Sequence, residues 1–413
     1  MAVNAQDSVV EVRSCTWTRD SHGLFDFEAD TDNLQTKVDV VAEPKTCIRT
    51  KAGVELVDRS MLAERGDGEE LVNLVRKHGG NYWVDRPRKV KRLWRVVRGQ
   101  SDAAGTCAHK LEERDEIKLG RCRFKVCQMV ASQAEAEEAV LQLDTPGAPA
   151  CQVTTPPPQA TCRICLLEGE SEEDPLIAPC TCKGSVRHVH LGCLRLWIRS
   201  RNRFPDEPGH SYVYRALPCE LCKTSFPGTV VIGDKHMPLV DLPTPASPFL
   251  VLQSCADKAF HVLSLADGKP VQFGRSHDCE VRVHDVSISR KQATVRFSNG
   301  SFFLEDNQSK FGTSVAMKGP WHLKAEQPVT IQAGRTVIYL SLAAPRPTSP
   351  SQLAREAPAR APSGGLLGLG FPGLALNLFA AAPATGEAPP NAELAPEVQP
   401  QEGRVTETDE EDC

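Results

Sequence analysis

Cys162-Arg-Ile-Cys165, Cys180-Thr-Cys182, His190-Leu-Gly-Cys193 and Cys219-Glu-Leu-Cys222 set eight soft ligand side chains in a fixed order within one short stretch. Thiolate and imidazole are the groups that close tetrahedral sites around Zn2+. Eight ligands in four close pairs make two such sites, and spacing this regular sets these residues apart from scattered structural or redox thiols. The stretch is poor in apolar bulk, so metal binding and folding are expected to be one process. A zinc with four protein ligands keeps no open position for water or substrate. The expected product is therefore a rigid surface and not a hydrolytic centre.

The order four Cys, one His, three Cys, with a long gap before Cys219, resembles the RING-CH variant of the RING finger. Ala178-Pro-Cys-Thr-Cys-Lys-Gly-Ser185 and His190-Leu-Gly-Cys193-Leu-Arg-Leu-Trp197 carry the likeness further. The resemblance covers about residues 158–226 and implies a cross-brace. Cys162, Cys165, His190 and Cys193 would hold one zinc, and Cys180, Cys182, Cys219 and Cys222 the other; His188 is off the spacing and reads as non-ligating. The resemblance also implies a surface for a ubiquitin-conjugating enzyme charged with ubiquitin. Ile164 matches the apolar residue before the second Cys, Trp197 the aromatic of the groove, and Lys223 the basic residue after the last Cys. The family's Pro after the seventh ligand is absent; Glu220 stands there and Pro218 precedes Cys219. Packing within a small zinc-bound core is the plainer role for Ile164 and Trp197. A PHD-type histone reader shares the ligand order but carries Trp two residues before the seventh ligand, where this chain has Leu217.

After the break Leu242-Pro-Thr-Pro-Ala-Ser-Pro248, short runs of alternating apolar and polar residues continue to Leu342. Phe249–Leu252, Gln292–Phe297, Phe302–Leu304 and Val337–Ser341 read as strands of a β-sandwich. Phe273-Gly-Arg-Ser276, Ser287-Ile-Ser-Arg290 and Asp306-Asn-Gln-Ser-Lys-Phe-Gly-Thr313 lie among them. Their order and spacing resemble a forkhead-associated (FHA) domain, a family that binds phosphothreonine peptides. The resemblance implies Arg275 and Ser289 as phosphate ligands, with Arg290 and Lys310 as further donors. Such charge-assisted donors suit phosphate oxygens, and the planar fork of Arg pairs with two at once. Two positions depart from the family: Gln292 replaces a His that supports the loop, and Phe311 replaces an Asn that holds the peptide backbone.

The fold class that follows is a multidomain chain. It comprises a zinc-bound cross-brace RING-CH finger at 158–228, an all-β FHA sandwich at 247–344, and a β-rich or α/β N-terminal region at 1–130. Linkers are expected at 131–157 and 229–246, and a disordered Ala/Pro/Glu-rich tail at 345–413. Met61–His78 reads as a helix stopped by Gly79-Gly80. Leu111–Gly120 is similar in kind to the closing strands of an FHA sandwich, so residues 80–130 read as part of a divergent second copy, or else as a β-rich adaptor of another type.

Arg86–Arg98 packs seven basic residues into thirteen and reads as the exposed face of a hairpin. The alternative is a nuclear-localisation or polyanion-binding stretch. A formal net charge of −5 gives no global drive toward nucleic acid. Met1–Asp7 lacks the apolar core of a signal peptide, and nine of the sixteen Cys lie outside the zinc motif without framework spacing. Reduced thiols in the cytoplasm or nucleus are expected. Ala361–Gly386 carries no charge, but glycines and Pro372 interrupt it and only a short part is strongly apolar; a span needs ~20 apolar residues. The functional expectation is a soluble RING-type ubiquitin ligase that reads phosphothreonine partners, with a non-enzymatic zinc-binding adaptor as the alternative.

Overall fold

The computed structural model describes residues 9–343 apart from 18–23, 29–35, 63–67, 78–79, 99–107, 139–140, 142–149, 153–156, 206–208 and the single positions 158, 170, 172 and 326. The tail expectations, on disorder and on 361–386, lie outside the described residues.

The N-terminal region runs through Val9–Thr16 (β1), Thr36–Val41 (β2), Lys45–Thr50 (β3), Gly53–Val57 (β4), Glu69–Arg76 (β5), Tyr82–Asp85 (β6), Trp94–Val96 (β7), Ala108–Lys110 (β8), Glu116–Leu119 (β9) and Cys122–Val130 (β10). The helix expected over Met61–His78 is not formed. A 3-10 turn at Arg59–Leu62 is followed by β5. In β5 the four consecutive residues Leu71–Leu74 are buried, so both faces of the strand are covered. With Leu71, Val72, Asn73 and Leu74 all inside, the stretch shows no alternation to separate strand from helix.

After Gln133–Glu138 (α1) come Cys151–Gln152 (β11), Leu176–Ile177 (β12), Val189–His190 (β13), Leu191–Asn202 (α2), Tyr212–Tyr214 (β14), Thr229–Ile232 (β15) and Lys235–Pro238 (β16). The C-terminal strands are Phe249–Ser254 (β17), Phe260–Ser264 (β18), Val271–Gly274 (β19), Val281–Arg282 (β20), Ala293–Ser298 (β21), Ser301–Asp306 (β22), Thr313–Ala316 (β23), Trp321–His322 (β24), Val329–Ala333 (β25) and Thr336–Ala343 (β26).

Strand pairing crosses the boundaries expected at 130 and 247. The largest sheet has the order β14-β18-β17-β10-β9-β23-β7-β25-β26-β1-β2, and two five-stranded sheets run β20-β19-β21-β22-β8 and β24-β6-β5-β3-β4. The order repeats: β18-β17-β10-β9-β23 mirrors β2-β1-β26-β25-β7, and β8 borders β22 as β24 borders β6. Each sandwich thus takes its last three strands from the other segment of the chain. The antiparallel pair β7 and β23, with Val315 opposite Arg95, lies at the centre of the exchange.

Two cores record the same exchange. One packs Ile117, Leu119, Phe124 and Val126 with Leu250, Leu252, Phe273 and Val295; the other packs Val10, Val12, Leu71 and Tyr82 with Ile331, Ile338 and Leu340. Within the basic run Arg86–Arg98, Lys89 pairs with Glu70 and Arg92 with Glu116, while Arg95 is buried in β7.

The two segments expected as linkers are partly built. β15 and β16 form a hairpin that β11 joins in parallel, and Val230 and Leu239 pack into the core of the finger. The long gap between Cys193 and Cys219 holds most of α2 and all of β14. β14 pairs antiparallel with β18, and Phe204, Tyr212 and Tyr214 cover Phe249, Val251, Phe260 and Val262 on the outer face of the sheet. The finger is therefore mounted on the sandwich through a strand and an apolar layer.

Candidate metal centres, groove and phosphate site

The finger folds around two clusters. Ligand atoms of Cys162, Cys165, His190 and Cys193 lie within 4.8 Å of one another, as do those of Cys180, Cys182, Cys219 and Cys222. The interleaving along the chain is that of a cross-brace. The Cys182 and Cys219 sulfurs are 3.8 Å apart, close to the ~3.8 Å edge of a tetrahedron built on ~2.3 Å zinc–sulfur bonds. His190 Nε2 donates to the Gly169 carbonyl at 2.7 Å, which leaves Nδ1 facing Cys165 Sγ at 3.3 Å and Cys193 Sγ at 3.9 Å. Second contacts of this kind set the tautomer and the ring angle of a metal-ligating His. That same bond to Gly169 is the first cause that lifts His190 to about 9. Burial, with added crowding by neighbouring thiols, pushes Cys193 up to about 12. Bonds from the Thr181 and Thr224 side chains lower Cys222 to about 5. A cation entering such a set takes the place of protons. The donor chemistry fits Zn2+ in both clusters.

Elements position these ligands by short-range geometry. Ile164 N–H and His190 N–H both donate to Cys162 Sγ at 3.4 Å. β12 and β13 bring His190 opposite Leu176, and α2 starts directly after it and carries Cys193. His188 lies outside both clusters, and its carbonyl accepts from Arg163 N–H at 3.0 Å.

A residue that the sequence did not single out joins the two sites. The Arg163 guanidinium, on the first cysteine knuckle, reaches Cys180 Sγ at 3.5 Å, Cys219 Sγ at 3.7 Å and the Val186 carbonyl at 3.0 Å. It sets a cation against the cluster of four cysteines.

Beside the clusters lies a shallow groove lined by Ile164, Leu194, Trp197, Glu220, Leu221 and Phe226. Ile164 is 42% exposed and Leu221 61% exposed. Trp197 is half-buried and meets Phe226 edge-on at 6.2 Å, with Arg201 over its ring at 5.7 Å. Arg201 also pairs with Glu220 at 3.0 Å on the rim. Both partners are exposed, so the pair is worth little. Lys223 is exposed, has φ 60°, donates its N–H to the Cys219 carbonyl and stands outside the groove lining. Leu221 had a signal in the sequence: like Ile164, it is the apolar residue before the second Cys of a knuckle.

At one end of the C-terminal sandwich, Arg275, Ser289 and Lys310 come together through their backbones. Arg275 N–H donates to the Ser289 carbonyl at 3.1 Å, and Lys310 N–H donates to Ser289 Oγ at 3.0 Å. Gly274 is required here, since a Cβ on it would sit 2.1 Å from the Arg290 carbonyl oxygen. Arg275 and Arg290 are exposed and form no ion pair among the described residues. Gln292 is fully buried. It accepts from Ser289 N–H at 3.0 Å and donates to Ser309 Oγ at 2.7 Å and the Gly312 carbonyl at 2.9 Å. It thus bridges the two loops. Phe311 offers no polar side-chain atom where the family has Asn. On the corresponding strand of the other sandwich, Arg49 pairs with Glu69 and donates to Thr336 Oγ1 at 3.1 Å, so that cation is satisfied internally.

Comparison with known proteins places names on both parts. Residues 162–222 match the RING-variant (RING-CH) domain and residues 271–338 the FHA domain. RING-CH domains bind zinc, and the two clusters provide for two ions. Over the finger the chain is 43% identical, across 72 residues, to the E3 ubiquitin-protein ligase MARCHF8 of Xenopus tropicalis, which is 17% of this chain and 22% of that protein. It is 44% identical over 71 residues to the E3 ubiquitin-protein ligase MARCHF1 of Homo sapiens, 17% of this chain and 20% of that protein. It is also 42% identical over 66 residues to the ERAD-associated E3 ubiquitin-protein ligase DOA10 of Saccharomyces cerevisiae, 16% of this chain and 4% of that protein. The chain thus spans less than a quarter of the length of these relatives. Among the described residues no helix is long and apolar enough to cross a membrane, which leaves β-barrels unaddressed.

Proposed function

We propose that this chain is a RING-type ubiquitin ligase that binds a charged ubiquitin-conjugating enzyme through its finger and phosphothreonine partners through its FHA domain. Cys162, Cys165, His190 and Cys193 hold one zinc, and Cys180, Cys182, Cys219 and Cys222 the other. Zinc supplies the folding energy of the finger and a fixed frame for the groove. Four protein ligands close each ion, so no step of transfer runs through the metal. Ubiquitin passes from the conjugating enzyme directly to a lysine, with no covalent intermediate on this chain.

The observation that carries the reading is the groove: exposed Ile164 and Leu221 flank the half-buried Trp197 beside the two clusters of metal-ligand side chains. An aromatic anchor flanked by aliphatic residues is the pattern of an interface hot spot. Lys223 stands next to the last ligand, where its ammonium can reach both enzyme and ubiquitin. Arg275 and Arg290 supply guanidinium groups that form no ion pair among the described residues, Ser289 keeps a hydroxyl proton to donate while accepting from Lys310 N–H, and Lys310 adds a further cation. β14 ties the finger to the sandwich by a strand pairing as well as by the chain, so the two binding surfaces belong to one folded unit.

The test is autoubiquitination by the full chain with each member of a panel of conjugating enzymes. Ubiquitin chains with at least one enzyme support the ligase. No transfer with any, while two zinc ions are bound, would favour the non-enzymatic adaptor.

A further inference from the structure

The segment Leu24–Glu28 follows β1 of the N-terminal sandwich, yet it lies on the phosphate loops of the C-terminal one. Trp17, Phe25 and Val337 anchor it in a small apolar cluster, with Phe25 edge-on to Phe27 at 4.7 Å. From there Phe27 N–H donates to the Lys310 carbonyl at 2.8 Å. The Phe27 ring covers Gly312, where a Cβ would come within 2.6 Å of it, and φ +74° also favours Gly there. Arg98 holds the arrangement from behind, donating to the Ser309 carbonyl with its guanidinium over Phe27 at 5.8 Å. Asp26 is held by its own turn, since its Oδ1 accepts from Glu28 N–H at 2.9 Å. That leaves Oδ2 to pair with Lys310 Nζ at 3.3 Å.

Two bonding groups of the Lys310 loop, the ammonium and the carbonyl, are thus taken by the chain itself. We propose that Asp26 is an affinity-setting residue of the phosphothreonine site, an internal acid that competes with the phosphate for Lys310. The proposal rests on the reading of Arg275, Ser289 and Lys310 as a phosphate site. Phosphate carries more charge and more acceptor oxygens than a carboxylate. A well-placed phosphopeptide therefore displaces Asp26 from Lys310, whereas an aspartate or glutamate peptide does not. The acid raises the threshold for binding and sharpens the distinction between phosphorylated and merely acidic partners.

The experiment measures binding of a labelled pool of phosphothreonine peptides to the full chain, with the unphosphorylated and the Glu-substituted pools as controls. Asp26→Asn keeps the turn and removes the charge. It should tighten phosphopeptide binding about fivefold, the size of one exposed ion pair, and let the Glu pool bind. Lys310→Ala should weaken binding and make Asp26→Asn silent. Unchanged affinity in Asp26→Asn, with binding still abolished by Arg275→Ala, overturns the role of Asp26 and leaves the phosphate site standing. No phosphopeptide binding by the wild-type chain or by Asp26→Asn overturns both.

Discussion

Trp197 combines a buried edge against Phe226 with a face open to the groove, and Ile164 and Leu221 flank it from the two cysteine knuckles. Truncating such an anchor costs about 2 kcal/mol or more, roughly 30-fold in affinity. Trp197→Ala and Leu221→Ala should each abolish ubiquitin transfer while zinc content stays at two per chain by metal analysis. Transfer that persists in both variants would place the conjugating enzyme elsewhere. A second residue answers to pH. His261 is buried opposite Val213 of β14, its Nδ1 has no partner among the described residues, and burial pushes it down to about 4 from an ordinary 6.5. The neutral ring is the form that the fold accepts. Its contribution is whole above about 6.5 and drains away as pH falls toward 4. At pH 5 the loss is about 2 kcal/mol. Thermal unfolding at pH 7 and pH 5 should show a drop that His261→Phe removes; an equal drop in the variant would assign it to other groups.

At the scale of elements, the eight candidate ligands were legible because their pairs are close in sequence, while their division into two sites came from the resemblance to RING-CH fingers, and the two clusters group them in the same way. The groove was legible in Ile164 and Trp197, and Leu221 carried the same signal unread. Arg163 carried none, since its partners Cys180 and Cys219 come from other knuckles. The FHA loops were legible as motifs, and Gln292 does the bridging that its position asked for. β5 was not, because Leu71–Leu74 are buried on both faces and show no period. The strand exchange was invisible for a deeper reason. Nothing local tells β17 to pair with β10 and β26 to pair with β1; either closing hairpin offers a similar edge. Its consequence can be measured. A fragment of residues 245–345 lacks β8–β10 and with them the buried Ile117, Leu119, Phe124 and Val126. At about 2 kcal/mol each, these side chains match the whole stability of an ordinary domain, about 5–15 kcal/mol. The fragment alone should show no cooperative unfolding, or should pair with a second copy, and adding residues 1–131 should restore a single transition. A fragment that melts cooperatively as a monomer would contradict the exchange.

For the whole molecule, β14, α1 and the apolar layer over β17 and β18 join the finger to the C-terminal sandwich, and the pair β7 and β23 joins the two sandwiches. Chelation should therefore unfold the finger and leave the sandwiches standing. Calorimetry with a chelator should lose one transition and keep another; a single transition lost entirely would mean that the sandwiches depend on zinc as well. Asp26 and Phe27 extend the same theme, since a segment of one sandwich sets the affinity of a site on the other. The claim on which the rest depends is that the groove promotes ubiquitin transfer. The most direct test is single-turnover discharge of ubiquitin from a charged conjugating enzyme to free lysine, with the full zinc-loaded chain and its Trp197→Ala variant. The account predicts that the wild-type chain speeds discharge at least ~10-fold and that the variant, with both zinc ions in place, does not. Discharge that is unaffected by the wild-type chain across the panel, or equally accelerated by the variant, would contradict it.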